Sequence, residues 1–228
     1  MIRRILILLS LLLLIYSFIP FIFQTERSKE LNDLAKTYVE EAPEKLKTQN
    51  IVTAVIVTYR GLDTLGEVTV LFIATAGVGF LLGSKKLGSE KRREASEILK
   101  TGTSFLVPII IIFGIYIFTH GHLTPGGGFQ GGVVITSAFL LMMLSNTNFR
   151  FNHTILSISE SLSGFTFLIL AVLGLFLLQS FLDPRFLPLG KYGKLLSAGA
   201  IPVIYSFIGI KVGSELSSVL DKMRGFDL

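Results

Sequence analysis

Cysteine is absent from this 228-residue chain, which excludes disulfides, thiolate metal sites and cysteine-based catalysis together. Charge is scarce as well: Asp, Glu, Lys and Arg make up 16% of the residues, against about a quarter in ordinary soluble domains. A chain so short of charge lacks the polar surface a soluble fold needs, while 50% of its residues are hydrophobic. Also missing are a phosphate-cradling loop, a dinucleotide fingerprint, a redox-cofactor motif and a Ser-His-Asp arrangement. A catalytic site of the chain's own and a bound cofactor are therefore not expected. The formal charge of +5 comes mainly from Lys and Arg between apolar blocks. It reads as orientation signal and contact with the anionic lipid bilayer, not as nucleic-acid binding.

What the chain has instead is apolar length. Six blocks, at about 5–23, 64–83, 104–119, 127–145, 157–181 and 197–219, each cross or nearly cross a bilayer at ~1.5 Å per residue. The expected fold is all-α, a polytopic membrane protein with about six transmembrane helices in two small bundles of two and four. The first block follows Arg3 and Arg4 as a signal peptide would, but it is too long and lacks a small-residue cleavage pattern, so it is expected to remain as a span. Residues 24–50 mix both charge signs and predict a water-exposed helix stopping at Pro43. The densest basic run, within 84–103, divides a two-helix part, 1–95, from a four-helix part, 96–228. The positive-inside rule places that run and both termini in the cytoplasm, and the turn at 120–126 outside.

Three sets of residues carry chemistry. Asp63 and Glu67 stand four apart, on one face of a helix, just before the uncharged run Val68 to Leu82. A carboxylate at that depth normally faces protein or water and suits an ion or proton relay; the plainer alternative sets both acids at the interface, with Arg60 as partner of Asp63. Thr75, Gly79 and Gly83 follow as a small-residue stripe for helix packing.

The second set is the run from His120 to Gly132, in which Thr124 is expected to cap the next helix and Pro125 to open it. Gly127, Gly128, Gly131 and Gly132 leave room for close backbone approach. His120 and His122 can relay protons or serve as polar helix-end residues, and they lack the further ligands a metal site needs. The third set is Glu160, and Lys211 with Glu215 one turn on; Lys211 follows the apolar stretch Ile201 to Ile210 and needs a partner, a wet cavity, or a path to the surface.

The run Val52-Thr53-Ala54-Val55 through Tyr59-Arg60-Gly61-Leu62-Asp63-Thr64-Leu65-Gly66-Glu67 resembles a segment at the C-terminal end of the large A subunit of Mrp-type sodium/proton antiporters, found as a separate small subunit in archaeal membrane-bound hydrogenases. The run His120-Gly121-His122-Leu123-Thr124-Pro125-Gly126-Gly127-Gly128-Phe129-Gln130-Gly131-Gly132 resembles the signature of the Mrp B subunit, and Glu160 and the run Gly209 to Gly213 are similar to that family too. The resemblance implies a subunit of a multisubunit cation/proton antiporter module whose partners are other antiporter-type membrane subunits. By the matching motif, Glu67 takes the place of the family's buried acid on a sodium or proton path, and Asp63, His120, His122 and Lys211 come over with their motifs. The departure is the fusion of two parts usually on separate chains, which points to an archaeal respiratory complex such as a hydrogenase or sulfur-reducing relative. The alternative is a non-translocating scaffold joining antiporter and redox modules.

Overall fold

A computed structural model describes residues 2–23, 31–82 and 94–224. The chain is helical throughout, with no strand among the described residues, and divides into two compact units, residues 1–37 and 38–228. The first holds α1, Ile2–Phe23, whose apolar side chains such as Leu12, Leu13 and Tyr16 are exposed, as suits a lipid-facing helix. It also holds the start of α2, Asp33–Leu46, where the side chain of Asn32 accepts from Ala35 N at 2.8 Å.

Helix α2 does not stop at Pro43, as the sequence led us to expect; Pro43 lies inside it. A proline removes one backbone hydrogen bond, but Ala42 and Leu46 are buried against Ala54, and that packing carries the helix a further turn. The chain then reverses at Lys47, φ +52°. Asn50 caps the short α3, Ile51–Ala54, which widens into a π-helical turn, Val55–Tyr59. Arg60 breaks the pattern and α4 runs Gly61–Leu82.

Four further helices complete the second unit: α5, Glu97–Thr119; α6, Gly128–Ser145; α7, His153–Leu178; and α8, Ile201–Arg224. Helix α5 starts seven residues before the expected position, because Ser96 caps it by accepting from Leu99 N and Glu97 pairs with Lys100. Helix α7 likewise begins early, behind a cap of its own: the Asn152 side chain accepts from Thr154 N and Ile155 N. Five helices, α4 to α8, are long and apolar enough to cross a membrane, and Arg4–Pro20 forms a shorter apolar sixth. The chain is a multi-pass membrane protein.

Helix α8 is the hub, packed against α4, α5, α6 and α7. In its apolar stretch 56% of residues are buried, against 6% in α4, so α8 is enclosed by this chain while α4 turns most of its surface outward. Ile201, Ile204, Ile208 and Val212 of α8 form the core with Phe167 and Ala171 of α7 and Leu182 of the following loop.

Candidate functional site

The core helix carries two charges where lipid-depth packing would favour none. Lys211 is 8% exposed and Glu215 1%, and the i,i+4 spacing sets them on one helix face, where they form an ion pair. The apolar run before Lys211 thus ends in a neutralised pair rather than a side chain reaching for the surface. The ammonium also lies 5.3 Å from the centre of the Phe72 ring of α4, a favourable cation–π arrangement. Glu160 of α7 is half-buried beside this pair. It lines a cleft of about 310 Å³ with Lys211, Thr69 and Phe72, and a second of about 180 Å³ with Glu215, Thr75 and Ser218. Lys211, Glu160 and Glu215 are therefore brought together where α4, α7 and α8 meet.

The packing stripe on α4 faces the same place. Thr75 lines the smaller cleft, and Gly79 leaves room for Lys222, whose Nζ lies 2.5 Å from where a Cβ at Gly79 would stand. Gly83 and the basic residues from Lys85 to Arg93 lie outside the described residues.

The acidic motif sits apart from this cluster. Val68 of α4 is buried in the core, but Asp63 and Glu67 are exposed. Asp63 pairs with Arg60, Nε to Oδ2 at 2.5 Å, the plainer of the two readings its sequence allows. Glu67 makes no hydrogen bond or ion pair among the described residues, although it lies within electrostatic reach of the Tyr205 phenol. Among the described residues nothing shelters Glu67.

The His-Gly-His turn is a structural knot. The carbonyl of His122 accepts from Gln49 N and Asn50 N, both at 3.1 Å, and from the Thr48 hydroxyl at 2.7 Å. The carbonyl of Gly121 accepts from Asn50 Nδ2 at 2.8 Å and Thr53 Oγ1 at 2.6 Å, and the Tyr205 hydroxyl donates to Thr53 Oγ1. The segment before α4 is thereby stitched to the α5–α6 turn. Thr48 and Asn50 went unmarked in the sequence: Asn50 ahead of a β-branched run is legible as a cap, but its partner 71 residues away is not.

The two imidazoles diverge. His120 stacks on Tyr116, with ring centres 4.2 Å apart, at the end of α5. His122 is fully buried, with Nε2 at 3.4 Å from the Lys194 carbonyl and Nδ1 without a partner among the described residues. Thr124 does not cap α6, a correction to the sequence reading; its hydroxyl turns back to the His120 carbonyl, and α6 starts at Gly128 behind Gly127, φ +153°. The glycines then let helices touch. A Cβ on Gly128 would stand 2.6 Å from Ile208 Cβ, on Gly131 2.6 Å from the Gly114 carbonyl, and on Gly132 2.7 Å from the Gly209 carbonyl.

Burial pushes the His122 imidazole below its ordinary range. An unfolded His122 then binds a proton more readily than a folded one, so its contribution is complete above the usual imidazole pKa and is lost as pH falls below it. We expect the Gln49 and Asn50 amides, which bond to His122, to lose hydrogen-exchange protection as pH drops below about 6.5. Unchanged protection factors down to about pH 5 would contradict this.

Residues 98–218, from α5 through most of α8, match the family described as a domain related to the MnhB subunit of Na+/H+ antiporters. The chain belongs to the MnhB-related family. Ahead of its MnhB-related region, residues 8–91 match the MbhE family, the E-type subunit of MBH. An uncharacterized protein of Methanocaldococcus jannaschii is 33% identical to it over 195 residues, 74% of each chain. A Staphylococcus saprophyticus protein named as antiporter subunit mnhB2 is 53% identical over 53 residues, which is 23% of this chain and 38% of that one. Among solved structures, a chain of the membrane-bound sulfane sulfur reductase, an archaeal respiratory membrane complex, is 43% identical, with 98% of both chains covered and a TM-score of 0.83. A chain of the Mrp complex from Dietzia sp. DQ12-45-1b shares the fold, with a TM-score of 0.78 over 97% of this chain and 26% of that one at 22% identity.

Proposed function

We propose that this MnhB-related chain is a membrane subunit of a cation/proton antiporter module within an archaeal respiratory complex, and that it contributes to a sodium or proton path. The observation that carries the reading is the buried Lys211–Glu215 pair, with Glu160 beside it, in the enclosed helix of an antiporter-related chain. Charged groups at such depth are unfavourable in lipid and stand where ions or protons move. The relation to a sulfane sulfur reductase chain over 98% of both lengths supports the respiratory setting. Other antiporter-type subunits are then the neighbours, and α4, with Glu67 on its exposed surface, is the face that meets them. Asp63 and Arg60 form the rim of that face, while His120 and His122 hold the turn that fixes α6. The chain needs no cofactor of its own for this role, and Na+ or H+ is the transported ion. The basic run within 84–103 and both termini lie in the cytoplasm, under the positive-inside rule.

The scaffold reading has one observation in its favour: the Thr48–His122 and Asn50–Gly121 hydrogen bonds join the two parts as a structural connector would. The two readings separate at Glu67. In vesicles carrying the assembled complex, Glu67→Gln is expected to cut Na+-dependent proton movement at least about tenfold, a loss of about 1.4 kcal/mol or more of transition-state stabilisation. The subunits should still co-purify. Normal exchange in that variant would leave the scaffold role.

A further inference from the structure

We propose that Glu215 and Glu160 form a site at which one proton and one Na+ compete, with the Lys211 ammonium as the built-in cation that yields to either. The proposal rests on the antiporter-subunit reading and deepens it by giving each member of the Glu160–Lys211–Glu215 cluster its part.

Only one oxygen of Glu215 is engaged. Oε1 meets Lys211, whereas Oε2 has no hydrogen-bond partner among the described residues, although the side chain is 1% exposed. A bare carboxylate oxygen at that depth is unfavourable until a proton, a cation or water meets it. The group lines the cleft of about 180 Å³ with the Thr75 and Ser218 hydroxyls and the Glu160 carboxylate. At roughly 30 Å³ per water, that is room for a small cation with part of its hydration. Every polar side-chain group but one there is an oxygen, the ligand a hard cation prefers. The Thr75 hydroxyl donates to the Phe72 carbonyl at 3.0 Å, which leaves its lone pairs free to accept. The exception is Lys222, which also lines the cleft and is exposed.

Glu160 and Glu215 supply two negative charges, and Lys211 and the exposed Lys222 two positive ones, of which only Lys211 is buried. The residues of α4 that face the clefts, Val68, Thr69, Phe72, Thr75 and Ala76, bring no charge, and α6 meets α8 through Gly132 and Thr136. The Lys211 stem runs past Gly164, whose missing Cβ would stand 3.4 Å from Lys211 Cδ, and Glu160 is one turn away on the same helix. Glu160 and Lys211 also share the larger cleft. The ammonium therefore has a second acceptor within reach of a rotamer change. A proton or Na+ arriving at Oε2 releases the ammonium from Glu215 to Glu160, and its departure calls the ammonium back. No bond is made or broken except the O–H formed when the proton is the occupant.

Labelling of the intact purified complex with dicyclohexylcarbodiimide, which adds to protonated carboxyl groups in apolar surroundings, tests the site without transport. Mass spectrometry should find the adduct on the Glu215 peptide. Na+ should suppress it at least fivefold, and the same concentration of choline should not. An adduct yield at Glu215 indifferent to Na+ overturns the proposal. In proteoliposomes, Glu215→Gln should lose exchange, and Glu160→Gln should raise the half-saturating Na+ concentration about tenfold. The double variant K211M/E215L, which removes both charges, guards against simple misfolding. It should assemble and still fail to exchange; exchange restored by it would make the pair structural only. If the wild-type complex exchanges and Glu215→Gln matches it, the site fails and the subunit reading stands. If the wild-type complex moves no protons in response to Na+ while Na+ still protects Glu215, the subunit reading fails and the site stands.

Discussion

Gly132→Leu is expected to prevent the chain from entering its complex. The Cβ position at Gly132 is 2.7 Å from the Gly209 carbonyl oxygen and 2.8 Å from Val212 Cβ, so even alanine meets backbone and a β-branched stem. Neither neighbour has a flexible end to withdraw. Within a bilayer the hydrophobic effect does not hold helices together; close backbone approach through small residues does. Overpacking a well-filled interior costs about 1–3 kcal/mol, and a leucine facing a carbonyl belongs at or beyond the top of that range. Gly132→Ala should lower the melting midpoint of the detergent-purified chain, and Gly132→Leu should leave no chain in the assembled complex on native gels. Gly102→Ala on α5, where no atom lies within 4 Å of the Cβ position, is the matched control and should melt no lower than wild type. Equal melting of Gly132→Ala and Gly102→Ala would show that α6 and α8 do not touch through Gly132.

The residues of that contact show what a sequence discloses. Long apolar runs disclose membrane helices because the length rule acts locally, which is why α4 to α8 each overlie an expected span, even where a cap starts the helix early. The Lys211–Glu215 pair was legible for the same reason: four residues along one helix determine the geometry. Pro43 and Thr124 misled, because each obeys a local rule that a tertiary contact or a turn overrode, the burial of Ala42 and Leu46 in one case and the return of the chain to His120 in the other. Glu160 could be marked as an intramembrane acid but not placed beside Lys211, since that depends on how α7 lies on α8. Glu67 marks the far limit: the sequence marks an acid ahead of an apolar run, but the described residues leave it exposed and bring nothing against it.

Lys211→Ala should be the most damaging substitution of a charged residue. It would leave Glu215, 1% exposed, as a lone carboxylate in a helix enclosed on several sides. Removing one partner of a buried pair costs about 3–5 kcal/mol, most of it the penalty of the charge left behind, whereas replacing both with apolar residues of similar volume is often neutral or stabilising. The midpoint for thermal loss of the assembled complex should therefore fall strongly in Lys211→Ala and return close to wild type in K211M/E215L. A Lys211→Ala complex that melts like wild type would mean that Glu215 is neutral without Lys211 and that the pair contributes nothing to the fold. Recovery of stability in the double variant carries a second consequence. A packing residue is replaceable by anything of the right shape, but a residue that exchanges ions is not. If stability returns while exchange stays lost, the charges at 211 and 215 are retained for transport and not for folding.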